Sequence, residues 1–429
     1  MTPPFACPRA GTHLPGRRAA DRRRRALWAG PSSPRWRAGG LGVLLLVLLA
    51  GCAVVPFRRE PPRPGRTTLA SPLVILPALR IGNFLLLETT GSRNGPSHFL
   101  VDTGSSVTLV APTLLRHPPE RKPPVPGIPR VRVAGADGAI VELPAASLRE
   151  LTLGDARFEN VPVLVYDCAP LSAHLGVKID GVLGFPLFRE ILLTLDYPGN
   201  RVVLQPAATL AIPPGMAIPL DDNHKTPVIR MQLGERSLVA LVDSGSDAAF
   251  SLNPVGLDPR FAFGPRIGGT IGTIGGEHRQ RLARLEDPIS IGDLEFPRPI
   301  VDLTDNLSAI GAGLLRHFSV TFDQEHNRVV FHRNTGFPIR FPPLRSAGLS
   351  FNKTPAYWKV ASVVPDSPAA TAGLRAGDLI TRIDGEPVAQ WDLERYDRRV
   401  AAAEKIDFTF LRGASASASQ SVQVFELVP

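Results

Sequence analysis

Along this chain the apolar positions come in short runs rather than in long amphipathic stretches. Residues 84–88, 140–143, 161–165 and 191–195 are apolar or alternating segments of strand length, bounded by clusters of Gly, Pro, Asn and Asp. Alternation at period two lines one face of a sheet, and the bounding residues favour turns over helix. The pattern therefore predicts a mainly β protein. One run is different: residues 41–50 are apolar almost throughout and end at Gly51-Cys52.

Comparing the chain with itself is more informative than any single segment. Phe99-Leu100-Val101-Asp102-Thr103-Gly104-Ser105 returns as Ala240-Leu241-Val242-Asp243-Ser244-Gly245-Ser246. Leu151-Thr152-Leu153-Gly154-Asp155 returns as Ile289-Ser290-Ile291-Gly292-Asp293. Leu195-Asp196 with Asn200-Arg201-Val202-Val203 returns as Phe322-Asp323 with Asn327-Arg328-Val329-Val330. Three matches in one order imply two homologous β units, assigned to residues 76–207 and 208–340. Between corresponding motifs, Gly135-Ala136-Asp137-Gly138 and Gly272-Thr273-Ile274-Gly275-Gly276 are expected as hairpin tips.

A single Asp-Thr-Gly triplet reads as a turn after a strand. Here two copies follow apolar strands, an arrangement that would push Asp102 and Asp243 out of buried strand ends into the space between the units. Two carboxylates about 3 Å apart do not ionise together comfortably and share one proton; one then takes a proton from water while the other gives one to a carbonyl. Gly104 and Gly245 permit a close backbone turn. The Thr103 and Ser244 hydroxyls are expected to bond across the junction, and those of Ser105 and Ser246 to donate to the outer carboxylate oxygens.

With these residues in view, both units resemble lobes of the bilobal retropepsin- and pepsin-like aspartic proteases. Val182-Leu183-Gly184, Ile310-Gly311 and the stretch from Gly313 to Asp323 resemble further parts of that family's pattern. The resemblance implies Asp102 and Asp243 as a catalytic dyad, a polypeptide substrate, no cofactor, and flaps near 134–139 and 270–277. Two departures stand out: neither flap carries a Tyr, and the second motif runs into an extra acid, Asp247.

After residue 340 the pattern changes. Gly348-Leu349-Ser350-Phe351, then Ser367-Pro368-Ala369 and Gly373-Leu374-Arg375-Ala376-Gly377-Asp378, resemble a bacterial PDZ domain over residues 341–429. That resemblance implies a carboxylate-binding loop at Gly348, Leu349, Ser350 and Phe351, a peptide ligand added at a strand edge, and a groove-lining helix over residues 391–403. The fold expected overall is thus two acid-protease-like β-barrel lobes followed by a PDZ-like domain. A different reading of the same fold is a peptide-binding scaffold or sensor with weak catalysis.

Composition adjusts this picture at the amino terminus. Of the formal charge of +9, nine arginines against the single Asp21 place +8 in residues 1–51, so the remainder is close to neutral and no nucleic-acid partner is implied. Basic residues before a short apolar run fit a signal peptide over 1–51, and Leu49-Ala50-Gly51-Cys52 resembles a bacterial lipobox. The resemblance implies lipidation of Cys52, an anchor on the periplasmic face, sorting to the outer membrane because Ala53 follows, and a linker over 52–75. Cys7, Cys52 and Cys168 are the only cysteines; once the first is removed and the second modified, Cys168 has no disulfide partner. His174, His224, His278 and His317 lack metal-ligand spacing, so no metal is expected.

Overall fold

In the computed structural model the described residues are 65–89, 95–115, 129–208, 214–221, 226–413 and 417–429. The expected signal peptide, the lipobox with Cys52 and His224 lie outside them.

Strands dominate because the short apolar runs are buried on one or both faces. Phe84–Thr89 and Ser97–Asp102 pair antiparallel and are buried almost throughout, as central strands covered on both sides require. Ser97–Asp102 then pairs in parallel with Gly181–Gly184, which is flanked on its other edge by Thr108–Val110. The second unit repeats this order: Arg236–Asp243 pairs in parallel with Ser308–Gly311, which is flanked by Phe250–Leu252. Each unit also carries a long hairpin, Arg130–Ala134 with Ile140–Leu153 in the first and Phe261–Thr273 with Gly276–Leu285 in the second.

The units are not separate barrels. Ile191–Asp196 of the first pairs antiparallel with Ser319–Asp323 of the second, with Leu193 opposite Phe322 and Asp196 opposite Ser319. At the centre of this shared sheet the Thr194 and Thr321 hydroxyls are 2.8 Å apart. The repeated Asp…Asn-Arg motif is the turn chemistry of the two hairpins that build it. Asn200 and Asn327 take left-handed backbone angles, at φ 47° and 50°. Arg201 then reaches back to Asp196 at 2.6 Å and Arg328 to Asp323 at 2.9 Å. One continuous apolar core, from Leu76 through Phe188 to Phe318, underlies both units.

The segment expected as a linker, 52–75, needs correcting at its carboxyl end. Arg66–Leu69 is a strand paired with Ala156–Val165, and the next strand already begins at Val74. The β-branched Thr67-Thr68 pair, followed by Leu69, suits an edge strand better than an extended spacer.

The carboxyl-terminal sheet runs, in spatial order, Leu349–Lys353, Trp358–Val363, Leu379–Ile383, Lys405–Leu411 and Ala418–Gln423. Its own core centres on Phe351, whose ring lies within 5.5 Å of Trp358 and 5.4 Å of Tyr396, with Phe408 beyond. Tyr396 comes from the helix Leu393–Ala402, capped by the Asp392 carboxylate, which accepts from the Arg395 amide at 2.7 Å. Trp391, expected in that helix, closes the short 3-10 turn before it.

Candidate active site

Asp102 and Asp243 stand at the ends of the two repeated strands, in register with Gly184 and Gly311 of the parallel neighbours. The backbone beyond each Asp is held in the same way on both sides. The Phe185 amide donates to the Ser105 carbonyl at 2.9 Å, and the Ala312 amide donates to that of Ser246 at 2.7 Å. Two identical loops therefore approach each other face to face, and their side chains interlock.

That interlock is reciprocal. The Thr103 hydroxyl donates to the Val242 carbonyl at 2.7 Å and accepts from the Ser244 amide at 2.9 Å. The Ser244 hydroxyl donates to the Val101 carbonyl at 2.8 Å and accepts from the Thr103 amide at 3.0 Å. Both side chains are about 1% exposed, so neither pair of bonds is shared with water. Gly104 and Gly245 make the approach possible: a Cβ on Gly104 would overlap the Asp243 carboxylate, and one on Gly245 would overlap that of Asp102.

The two carboxylates thus face each other across the junction, close enough for each to shift the other. Burial pushes the Asp102 carboxyl well above its ordinary range, and the neighbouring Asp243 charge and hydrogen bond push it further. Asp243 is also raised by burial, but backbone amides and the bond from Asp102 oppose the shift. As a pair they retain one proton where isolated carboxylates have lost theirs.

The expectation for Ser105 is corrected. Backbone amides of both serines support the dyad, and the Ser105 hydroxyl is turned elsewhere. The Ser105 amide reaches Asp102 Oδ1 at 3.0 Å, while its hydroxyl donates to the Val107 carbonyl at 2.7 Å. On the other side the Gly245 amide donates to Asp243 Oδ1 at 2.8 Å, and the Ser246 amide also lowers that carboxyl. The tight turn after each Asp aims the N–H groups inward and leaves the Ser105 side chain to close its own loop.

The two hairpin tips meet each other. Thr273 of the second donates through its hydroxyl to Asp137 Oδ2 of the first at 2.9 Å. Asn306 donates to the Ala136 carbonyl at 2.7 Å. In the absence of a tip tyrosine, Ile274 packs with Val133 and Leu143 against the apolar cluster of the first unit. Asp137 and Asn306 were not singled out from sequence, since only the meeting of the tips gives them partners.

Tyr197 also escaped sequence reasoning. It is fully buried, its phenol is pushed up by burial and then by the Asp243 and Asp102 charges, and its hydroxyl has no hydrogen-bond partner among the described residues. The extra acid, Asp247, is taken up by Asn83, which donates to its Oδ1 at 2.8 Å and in turn accepts from Arg316 at 3.2 Å. Among the described residues no group of His, Cys, Asp and Glu is placed to hold a metal ion.

Comparison with known families bears on this geometry. A family model described as aspartyl protease matches residues 90–187, and one described as a PDZ domain matches residues 359–412. The chain carries an aspartyl protease domain and a PDZ domain. The aspartyl protease match includes Asp102, its following loop and Gly184; the second unit carries the same strand order with Asp243 at the corresponding place. No curated protein matches the chain. In the PDZ domain, Gly348 to Phe351 precede the matched range, and Leu349–Lys353 forms the outermost strand of the same sheet.

Cys168 of the aspartyl protease domain is free and about 2% exposed. Burial, with the Asp180 and Asp167 charges, pushes its thiol up to about 12. Since the thiolate is the reactive form, iodoacetamide at pH near 8 should leave the Cys168 peptide unmodified in native protein and label it after denaturation, as read by mass spectrometry. Labelling at equal rates in both states would contradict the burial.

Proposed function

We propose that this protein is an aspartic endopeptidase of the bilobal retropepsin/pepsin-like kind, with lobes over residues 66–207 and 208–340 and a PDZ domain from 341 that recognises substrate or partner peptides. The observation that carries the reading is the approach of the two carboxylates across the interlocked loops, each lying against the glycine of the other motif.

The chemistry follows from one proton on two acids. A water between the carboxylates loses a proton to the ionised Asp243 as its oxygen attacks the scissile carbonyl carbon. Protonated Asp102 gives its proton to the carbonyl oxygen, so the tetrahedral intermediate is neutral. Collapse of that intermediate breaks the C–N bond, with the proton on Asp243 passing to the leaving amine and the gem-diol returning one to Asp102. The hairpin tips, joined through Thr273 and Asp137, would cover an extended substrate and exclude bulk water.

An unfolded polypeptide incubated with the purified protein under mildly acidic conditions should yield new peptides. Asp102→Asn and Asp243→Asn should not produce them, and equal hydrolysis by both variants would reject the assignment. We further propose that Cys52 is lipidated and holds the enzyme on the periplasmic face of the bacterial outer membrane. Basic residues before the apolar run and the Leu49-Ala50-Gly51-Cys52 sequence support this. Palmitate should label the expressed protein and be lost in Cys52→Ala; labelling that persists in the variant would rule the anchor out.

A further inference from the structure

The edge of the PDZ sheet does not face open solvent along its length. Leu349–Lys353 is the outermost strand, with Trp358–Val363 on one side only. Between its free edge and the helix Leu393–Ala402 lies a cavity of about 360 Å³, and its far wall comes from the protease lobes, through Asn83, Asp247, Thr270 and Arg316. The groove that would seat a PDZ ligand and the surface beside the second catalytic loop therefore bound one space.

The connection is rigid at the end where a terminal carboxylate would sit. The Thr270 amide donates to the Ser350 hydroxyl at 2.8 Å, and the Thr270 hydroxyl donates to that of Ser362 at 2.7 Å. Thr270 belongs to Phe261–Thr273, the strand leading to the second hairpin tip. At the other end of the edge strand, Lys353 donates to the His174 carbonyl at 2.5 Å and lies within the field of Asp247. The PDZ domain is thus fastened to the lobes at both ends of its ligand edge.

We infer that this space is a track for the free carboxyl-terminal segment of a polypeptide, which leads upstream residues from the PDZ edge past Asp247 to the dyad and sets the cleavage site by distance from the chain end. The inference rests on the endopeptidase reading. With the carboxylate at the amides around Leu349 and Ser350, an added strand runs antiparallel to Leu349–Lys353, so its upstream residues travel toward Lys353 and Asp247. Asp247 is four residues beyond Asp243. Extended chain advances about 3.4 Å per residue, so the five residues of the edge strand pair with about five of the peptide and the cut lies further upstream. Asp247, Arg316, Lys353 and Asp397 give the walls polar groups for a peptide backbone, beside apolar ones from Leu349, Phe351 and Leu393.

The test compares three peptides with the full-length protein: one longer than the track with a free carboxylate, its carboxyamide, and the same sequence extended by a glycine-serine tail. The free acid should be cut at a fixed distance of more than about five residues from its end, and the tail should move the cut downstream with the new terminus. Amidation should lower kcat/KM by about tenfold or more, the scale of losing hydrogen bonds to a charged group. Cutting of the same bond in all three at equal kcat/KM would overturn the inference while leaving the endopeptidase intact. Should no peptide be cut, the endopeptidase reading fails, and a benzophenone placed at the expected upstream position of the free acid decides the track. Crosslinks to the segments holding Asn83 and Asp247 support it, and crosslinks confined to other surfaces overturn it.

Discussion

Asp102→Asn should lower kcat for peptide hydrolysis by about 10³-fold or more, with KM changed little. Positioned acid–base groups contribute about 10²–10⁴-fold, and here one proton serves both roles. An amide in place of Asp102 keeps the shape of the pair but neither holds nor returns that proton, so the loss falls on the chemical step. The wild-type pH profile should be bell-shaped. Its upper limb is loss of the shared proton, which burial and the neighbouring charge hold on the pair above the ordinary carboxylate range. Activity should therefore persist to higher pH than an unperturbed carboxylic acid would allow, and fall as pH rises through the higher of the pair's two values. Its lower limb is protonation of the second carboxylate. A variant with near wild-type kcat, or a wild type whose activity is independent of pH across this range, would remove the dyad from the mechanism.

Thr103→Val and Ser244→Ala should each destabilise the protein by about 2–5 kcal/mol. Each deletes a buried hydroxyl that makes two bonds, leaving an amide and a carbonyl of the facing loop without those partners. An unsatisfied buried group costs about 1–3 kcal/mol. The double variant should cost less than the sum of the two, because each hydroxyl spans the same pair of loops and the second loss acts on a junction already loosened. Denaturant melts of the four proteins give the coupling directly. Losses no greater than those of a surface substitution would show that the shared sheet, rather than the interlock, holds the lobes together.

Much of this arrangement was legible from local pattern. Asp102 and Asp243 were singled out because the motif around them repeats, and Gly104 and Gly245 because that chemistry needs a close turn. The tips at 135–138 and 272–276 were placed by their glycines, which punctuate the apolar runs on either side. What escaped was set by contacts between distant segments. Ser105 was expected to use its hydroxyl, but the turn aims its amide at Asp102 and turns the side chain to Val107. Arg66–Leu69 read as spacer because its strand character depends on an edge more than eighty positions away. Tyr197 and Asn306 carry no motif of their own, and the partner of Asp137 came only from the meeting of the tips.

The sequence alone determined the mainly β character, the internal repeat, the pair of acids at strand ends and the change of pattern after residue 340. Each of these is written in residues close enough in the chain to impose a period, a turn or a copy. Tertiary structure decided that the two units share one sheet, that the hairpin tips join, and that the PDZ edge opens beside Asp247. Those outcomes depend on which surfaces meet when apolar faces are buried together, and no local spacing encodes that choice.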